Sequence, residues 1–295
     1  MILYLSKSMV SFCCLRNLFN PNLYNNIEYF HNKKRIGMKM SETKDILPYL
    51  EFHLTDHCNL NCKGCNHFSS IANENYLSME SFLKDMKRLS EIFLNITKIR
   101  IMGGEPLLHP LITKFVQETR RFFPYSVISV ATNGILLPAM DVHFYNCLFE
   151  DNIILDVSIY PITEKQMVTY LDLPIQRRIP IRFTKVRKFC KSINALGNSD
   201  ALSMYIQCWV RTCTFLREGK IYHCCLPALS DIINQKFNLA IPNIGIDIHE
   251  DISGSEILNF ISKPSPVCSY CSKTEWFPWE QSNQQKNEWL TCSDK

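Results

Sequence analysis

The amino-acid sequence predicts an α/β protein, and three observations carry that expectation. Strand-like and helix-like segments alternate between residues 47 and 186. Apolar residues make up 46% of a 295-residue chain, enough for a large core that needs no disulfides to fold. Cysteines gather in groups, and one group falls directly after the first strand, at the kind of strand end where α/β folds carry their sites.

Residues 49–55 alternate with period two and read as a strand, and 56–70 form a loop rich in Cys, Asn and Gly. Ser78 opens a helix whose Met79, Phe82, Met86, Leu89, Ile92 and Phe93 follow the 3.6 period. The second strand, 98–102, ends at Gly103-Gly104-Glu105-Pro106, and a helix over 110–123 follows with Pro110 in its first turn. A strand over 125–131 is closed by Thr132-Asn133-Gly134. Next come a helix over 139–149, a strand over 153–159, a helix over 163–171 and a strand over 180–186. The five repeats imply parallel strands with right-handed crossovers, in an open sheet or a full or partial barrel. Residues 204–207 are the candidate for a sixth strand.

After Cys208 the pattern changes. Residues 215–224 read as a hairpin with Glu218-Gly219 in its turn, and the remainder is irregular and aromatic-rich. The expected organisation is an extension over 1–45, poorly ordered or preceding a start at Met38 or Met40, then a core over 46–205. A small second domain over 206–285 and a tail over 286–295 complete it.

Composition narrows the function. With 32 basic and 28 acidic residues the formal charge is only +4, and no long basic run argues for nucleic acid or a membrane surface. No apolar run reaches the roughly 20 residues of a membrane helix. The opening MILYLSKSMVSFCCL is broken by Lys7 and Ser8 and lacks a basic leading region, so no signal peptide is expected. Fourteen cysteines in such a chain argue for metal over disulfides. Hydrolase, P-loop and dinucleotide fingerprints are missing from the sequence.

Cys58-Asn-Leu-Asn-Cys62-Lys-Gly-Cys65 places three thiols in one short loop. Three such ligands can hold three corners of an iron–sulfur cube and leave one iron open to a substrate or cofactor. A zinc site completed by His57 or His67 is the simpler alternative. The C-x3-C-x2-C loop after the first strand, with Gly103-Gly104-Glu105-Pro106 after the second, resembles the radical S-adenosylmethionine (radical SAM) superfamily. That resemblance implies a partial (β/α)6 barrel in which Cys58, Cys62 and Cys65 bind a 4Fe–4S cluster and SAM chelates the fourth iron. It also implies cleavage of SAM to methionine and a 5′-deoxyadenosyl radical that abstracts a substrate hydrogen, with the hard chemistry carried by the cofactors.

On the same resemblance Gly103, Gly104 and Pro106 form the turn that approaches SAM, and Glu105 accepts from its ammonium group. Thr132 and Asn133 contact the ribose or methionyl part, and Ser158 and Tyr160 close the same pocket. The family commonly has an aromatic residue before the third cysteine. Here it is Gly64, with His67 and Phe68 as substitutes near the adenine.

Further on, Cys208, Gly219 and Cys224, followed by Cys268-Ser-Tyr-Cys271, resemble the shortened auxiliary-cluster domain called twitch; the longer SPASM form would need more cysteines. The implied ligands of a second 4Fe–4S cluster are Cys208, Cys224, Cys268 and Cys271, with Cys213 or Cys225 as possible substitutes. Zinc binding or a simple staple of the tail is the plain alternative. Cys13, Cys14, Cys147, Cys190 and Cys292 read as ordinary thiols. Trp276, Trp279 and Trp289 are expected to shield the auxiliary cluster or pack the small domain. His53 reads as a satisfied core histidine. Arg182 is a candidate catalytic residue facing the barrel interior, or a partner for an acid at the rim.

The implied activity is hydrogen abstraction from a substrate carbon, with the auxiliary cluster as electron acceptor in a two-electron oxidation. The layout is similar to aminocyclitol alcohol dehydrogenases, which points to a small carbohydrate-like metabolite; residues 1–45 lack the pattern of the peptide-binding domain that a peptide maturase usually brings. Peptide maturation is the alternative within the superfamily, and a non-catalytic zinc or iron–sulfur binding protein the alternative outside it. An electron donor such as flavodoxin or ferredoxin is the implied partner, and oxygen-sensitive clusters imply a cytoplasmic setting.

Overall fold

The computed structural model describes residues 44–291. The expected extension therefore lies outside the described residues except for Lys44 and Asp45, as do Cys13, Cys14 and Cys292. Five strands, β1 (Asp45–His53), β2 (Phe93–Met102), β3 (Val127–Thr132), β4 (Ile154–Ile159) and β5 (Ile181–Lys185), pair in parallel in the order β5-β4-β3-β2-β1. The C-terminal halves of β1 to β4 are buried, as parallel strands covered on both faces must be, whereas β5 is only half-buried.

Helices α1 (Met79–Ile92), α2 (Ile112–Phe122), α3 (Val142–Glu150) and α4 (Met167–Gln176) make the crossovers. Ser78 caps α1 by accepting from the Ser81 N–H, and Phe82, Met86, Leu89 and Ile92 form its buried stripe. At Phe93 the backbone turns extended and β2 begins without a loop. The expected helix over 110–123 starts two residues late, because Pro106–Leu108 makes a separate short turn.

The α/β expectation holds, and the position of the sixth parallel strand is a correction. Residues 204–207 belong to helix α5 (Ala201–Gln207), whose N-terminus is fixed by Asp200 accepting from the Ser203 N–H. Strand β6 (Lys188–Ile193) is not part of the main sheet; it pairs antiparallel with β10 (Cys271–Pro278). The sixth parallel strand is β7 (Phe215–Arg217), which lies beside β1 on the side away from β5. Glu218 and Gly219 take φ of 50° and 72° and turn β7 back into β8 (Lys220–Tyr222), to which β9 (Ile246–Asp247) is added. Two positive φ values are what a two-residue hairpin turn of this hand requires. Helices α6 (Cys225–Ala228), α7 (Ser230–Phe237) and α8 (Gly254–Ile261) complete the chain beyond the hairpin.

The main core packs the helices against one face of the sheet, with Phe52, Ile101, Val130 and Leu155 in its strands, while the other face carries buried polar side chains such as His53, Arg100, Ser129 and Asp156. A second core joins Phe68, Ile193, Phe215, Leu226 and Trp289, and so ties the cysteine loop, the hairpin and the C-terminal residues together. Trp289 and Leu290, in the stretch expected as a tail, are buried. Among the described residues no helix is long and apolar enough to cross a membrane.

One charged group is sealed into the sheet. Asp156 on β4 receives Arg182 of β5 through both carboxylate oxygens, at 3.1 and 2.6 Å, and Arg100 of β2 at 3.0 Å. Burial opposes its charge, but the two guanidinium groups outweigh burial and hold the carboxyl below its ordinary 3.8. Asp156→Asn is expected to cost about 3 kcal/mol at pH 7, since it strands the buried Arg100 and the half-buried Arg182. A depressed folded-state pKa gives stability that is present above the unfolded value and lost as pH falls through the folded one. The difference in urea midpoint between variant and wild type is therefore expected to persist down to about pH 4 and to shrink below it.

Candidate functional site

The loop after β1 carries Cys58, Cys62 and Cys65 to the C-terminal ends of the parallel strands. There they line one small cavity with His67, Gly103, Gly104, Thr132, Asn133, Tyr160 and Phe189. Burial pushes the Cys58 thiol well above its ordinary value and Cys62 up to about 12, and the neighbouring thiols add to both shifts. Each thiolate would raise the cost of the next, so three charges together need a cation.

The surroundings of the sulfurs suit that state. The Leu60 N–H donates to Cys58 Sγ at 3.3 Å and the Asn133 amide reaches it at 3.7 Å, while the Trp279 indole N–H donates to Cys62 Sγ at 3.1 Å. Donors aimed at sulfur are what a thiolate-ligated iron–sulfur group requires. Among the described residues no three His, Cys, Asp or Glu side chains converge on the position of a single ion. Ligands at separate corners of a multi-iron cube need not converge in that way.

Glu105 holds the rim together, and it does so facing inward. Its fully buried carboxylate accepts from the Thr132 hydroxyl at 2.7 Å, the Asn133 N–H at 2.8 Å and the Leu107 N–H at 3.1 Å. Burial raises its pKa to about 7 against these bonds. Gly103 and Gly104 face the preceding loop: a Cβ on Gly104 would lie 2.0 Å from the His57 carbonyl oxygen, and one on Gly103 2.5 Å from that of Thr55. The paired glycines thus let the β2 turn dock on the backbone that leads into Cys58.

The other expected residues divide. Tyr160 and His67 line the cavity, whereas Ser158 and Pro106 are buried behind it and Phe68 is in the second core. His53 is buried and satisfied, with Nδ1 on Asp56 at 3.1 Å and Nε2 on His67 Nδ1 at 2.8 Å. Asp56 also receives Arg217 of β7 at 2.8 and 3.1 Å, which anchors the cysteine loop to the hairpin. Arg182 is engaged with Asp156 and is not brought to the cavity.

At a second place the thiols of Cys208, Cys224, Cys268 and Cys271 come within electrostatic reach of one another, and burial again raises Cys224 well above its ordinary value and Cys271 to about 12. Cys208 ends α5, Cys224 precedes α6, Cys268 sits in the short turn Pro266–Tyr270 and Cys271 begins β10. Cys213, expected as a possible substitute, is disulfide-bonded and almost fully buried, so it offers no thiol. Cys225 is a buried cysteine at the start of α6.

The tryptophans divide: Trp289 packs in the second core against Phe237, as a small-domain residue would, and Trp279 departs from expectation. Trp276 packs on Trp209, but Trp279 and Trp289 reach the first cysteine loop, Trp289 by donating to the Cys65 carbonyl at 2.9 Å. Gly64, with φ of 63°, would set a Cβ 2.6 Å from the Phe277 ring. An aromatic side chain from β10 therefore fills the space where a side chain at position 64 would go. Phe189 of β6 was also missed, since β6 itself left no clear pattern.

Fold and loop together place three clustered thiols in a cavity at the C-terminal mouth of a parallel sheet. Residues 52–143 match the family model of the radical SAM superfamily, and this part of the chain is a radical SAM domain. Such a domain implies SAM and a 4Fe–4S cluster. The chain is 36% identical over 96 residues to GTP 3′,8-cyclase of Clostridium acetobutylicum, covering 32% of this chain and 30% of that protein. It is 38% identical over 104 residues to GTP 3′,8-cyclase of Thermodesulfovibrio yellowstonii, covering 34% and 32%. The matched stretch thus spans about a third of these relatives. The crystal structure of BtrN in complex with AdoMet and 2-DOIA shares the fold over 78% of this chain and 94% of that one, with a TM-score of 0.51 and 17% identity.

Gly104→Ala is expected to displace the loop that carries Cys58 and to cost about 1–3 kcal/mol. Thermal unfolding should show a lowered midpoint, and iron bound after anaerobic reconstitution should fall at the same time.

Proposed function

We propose that this chain is a radical SAM oxidoreductase that cleaves SAM at a 4Fe–4S cluster on Cys58, Cys62 and Cys65, and removes hydrogen from a small carbohydrate-like metabolite. The observation that carries this reading is the three-thiol cavity beside Gly103, Gly104 and the Thr132–Asn133 turn. The four-thiol group supports a second, fully ligated cluster as electron acceptor, and a division into a core over 46–205 and a cluster-binding part over 206–285 accompanies it. The shared fold with BtrN extends over both parts, which is consistent with that division.

When bound, the cluster and SAM supply one-electron cleavage of the sulfonium and the abstracting radical. The chain's own groups do the rest. Three cysteines lose their protons on binding iron, and the N–H donors of Leu60, Asn133 and Trp279 offset the charge on sulfur. Glu105 keeps the Thr132–Asn133 turn fixed against the β2 turn, which positions that part of the rim in advance. Tyr160 and Phe189, with near-parallel rings 6.3 Å apart, wall the cavity and exclude water. A walled cavity suits a compact substrate better than an extended peptide.

Anaerobically reconstituted protein is expected to be brown, with roughly eight irons per chain for two cubes, and to form 5′-deoxyadenosine from SAM with dithionite. Cys58→Ala should abolish that product, whereas Cys271→Ala should retain part of it while substrate oxidation stops. Little iron with stoichiometric zinc would replace the proposal by a binding module, and equal loss in both variants would assign the distal thiols to folding alone.

A further inference from the structure

The residues after β10 return to the first cysteine loop and run along it. The Lys63 N–H donates to the Glu280 carbonyl at 3.0 Å, the Ser282 N–H to the Asn61 carbonyl at 2.9 Å, and the Asn61 amide to the Ser282 carbonyl at 2.8 Å. Cys62 and Gln281 face each other as a bridge, and Lys63 pairs with Glu280 at 2.7 Å. The segment is thus a second strand against the loop, and it delivers the Trp279 N–H to Cys62 Sγ at 3.1 Å. Trp279 also packs against Cys62, Tyr160, Val186 and Phe189 in a compact apolar cluster, so this N–H···S contact is partly buried.

Strand β10 starts at Cys271 of the four-thiol group and ends one residue before Trp279. One extended strand therefore spans from the distal thiols to a ligand of the first group. Sequence spacing alone places Trp279 with the distal cysteines, eight residues after Cys271, whereas its contact belongs to the other site.

We propose that Trp279 is a positioning residue that sets the reduction potential of the cluster held by Cys58, Cys62 and Cys65, through its hydrogen bond to the Cys62 sulfur. This rests on the cluster reading given above. An N–H donor on a ligating sulfur withdraws charge from it and favours the state that carries one more electron. The contact therefore makes the cluster easier to reduce, and its loss moves the midpoint to more negative potential. Reduction here is uptake of one electron from an external donor such as dithionite, with no ligand lost or gained.

The test uses the full chain reconstituted anaerobically with ferrous iron and sulfide. The midpoint is read by EPR-monitored titration, following the part of the signal that changes when SAM is added, with iron counted in every sample. Trp279→Phe keeps the ring and removes the donor; it is expected to hold the same iron and to titrate at more negative potential. Glu280→Ala removes the strap's ion pair but leaves the indole, and is expected to titrate with wild type. Should Trp279→Phe fold poorly, the benzothienyl analogue of tryptophan at position 279 deletes only the N–H. Full iron with an unmoved midpoint in either 279 variant overturns the proposal, as does an equal shift in Glu280→Ala. A wild-type protein that takes up no iron would instead overturn the cluster reading itself.

Discussion

A buried carboxylate makes this site possible. Glu105 is sealed from water and spends both oxygens on the turn after β3 and the turn after β2, so two strand ends that share no direct ladder there move as one. Asn133, held by that carboxylate, passes the constraint on to Asn59 at 2.6 Å and to Cys58. An irregular loop has few bonds of its own to fix it. Its thiols can face one cavity only because neighbouring strand ends dictate where its backbone lies. Burying a charged or titrating acid is costly unless it is fully hydrogen-bonded, and Glu105 meets that condition.

The loop is restrained from three further sides. Gly103 and Gly104 dock on its first residues, Arg217 of the hairpin grips Asp56, and the residues after β10 run beside Asn61 and Lys63. These restraints come from regions far apart in the chain. The radical SAM domain and the part that follows it are consequently interlocked, with β7 in the main sheet and Trp289 under the cysteine loop.

Much of this was legible in the sequence, for reasons that differ by element. The parallel strands and their helices follow from apolar periodicity, and the Glu218-Gly219 turn from its residue types. The gathering of the first three thiols was legible in their short spacing within one loop, and that of the second group only in part, through Cys268-Ser-Tyr-Cys271. The direction in which Glu105 faces was not legible, since the motif reads equally well with its carboxylate toward a ligand. Strand β6 was missed because its partner is β10, a remote strand of mixed polarity, so neither shows clean alternation. Trp279 was assigned to the wrong cysteines for a related reason: proximity along the chain is a poor guide once an extended strand intervenes.

The placement of β7 beside β1 has a consequence for biosynthesis. When the radical SAM domain emerges from the ribosome, β1 still presents an open edge, because Phe215 and Leu216 have yet to be made. An unpaired strand edge is a template for pairing with other chains, and pairings remote in sequence form slowly. The nascent protein therefore passes through an interval of self-association risk that closes only when the hairpin has been translated, which favours a holding chaperone and slow growth temperatures during heterologous expression.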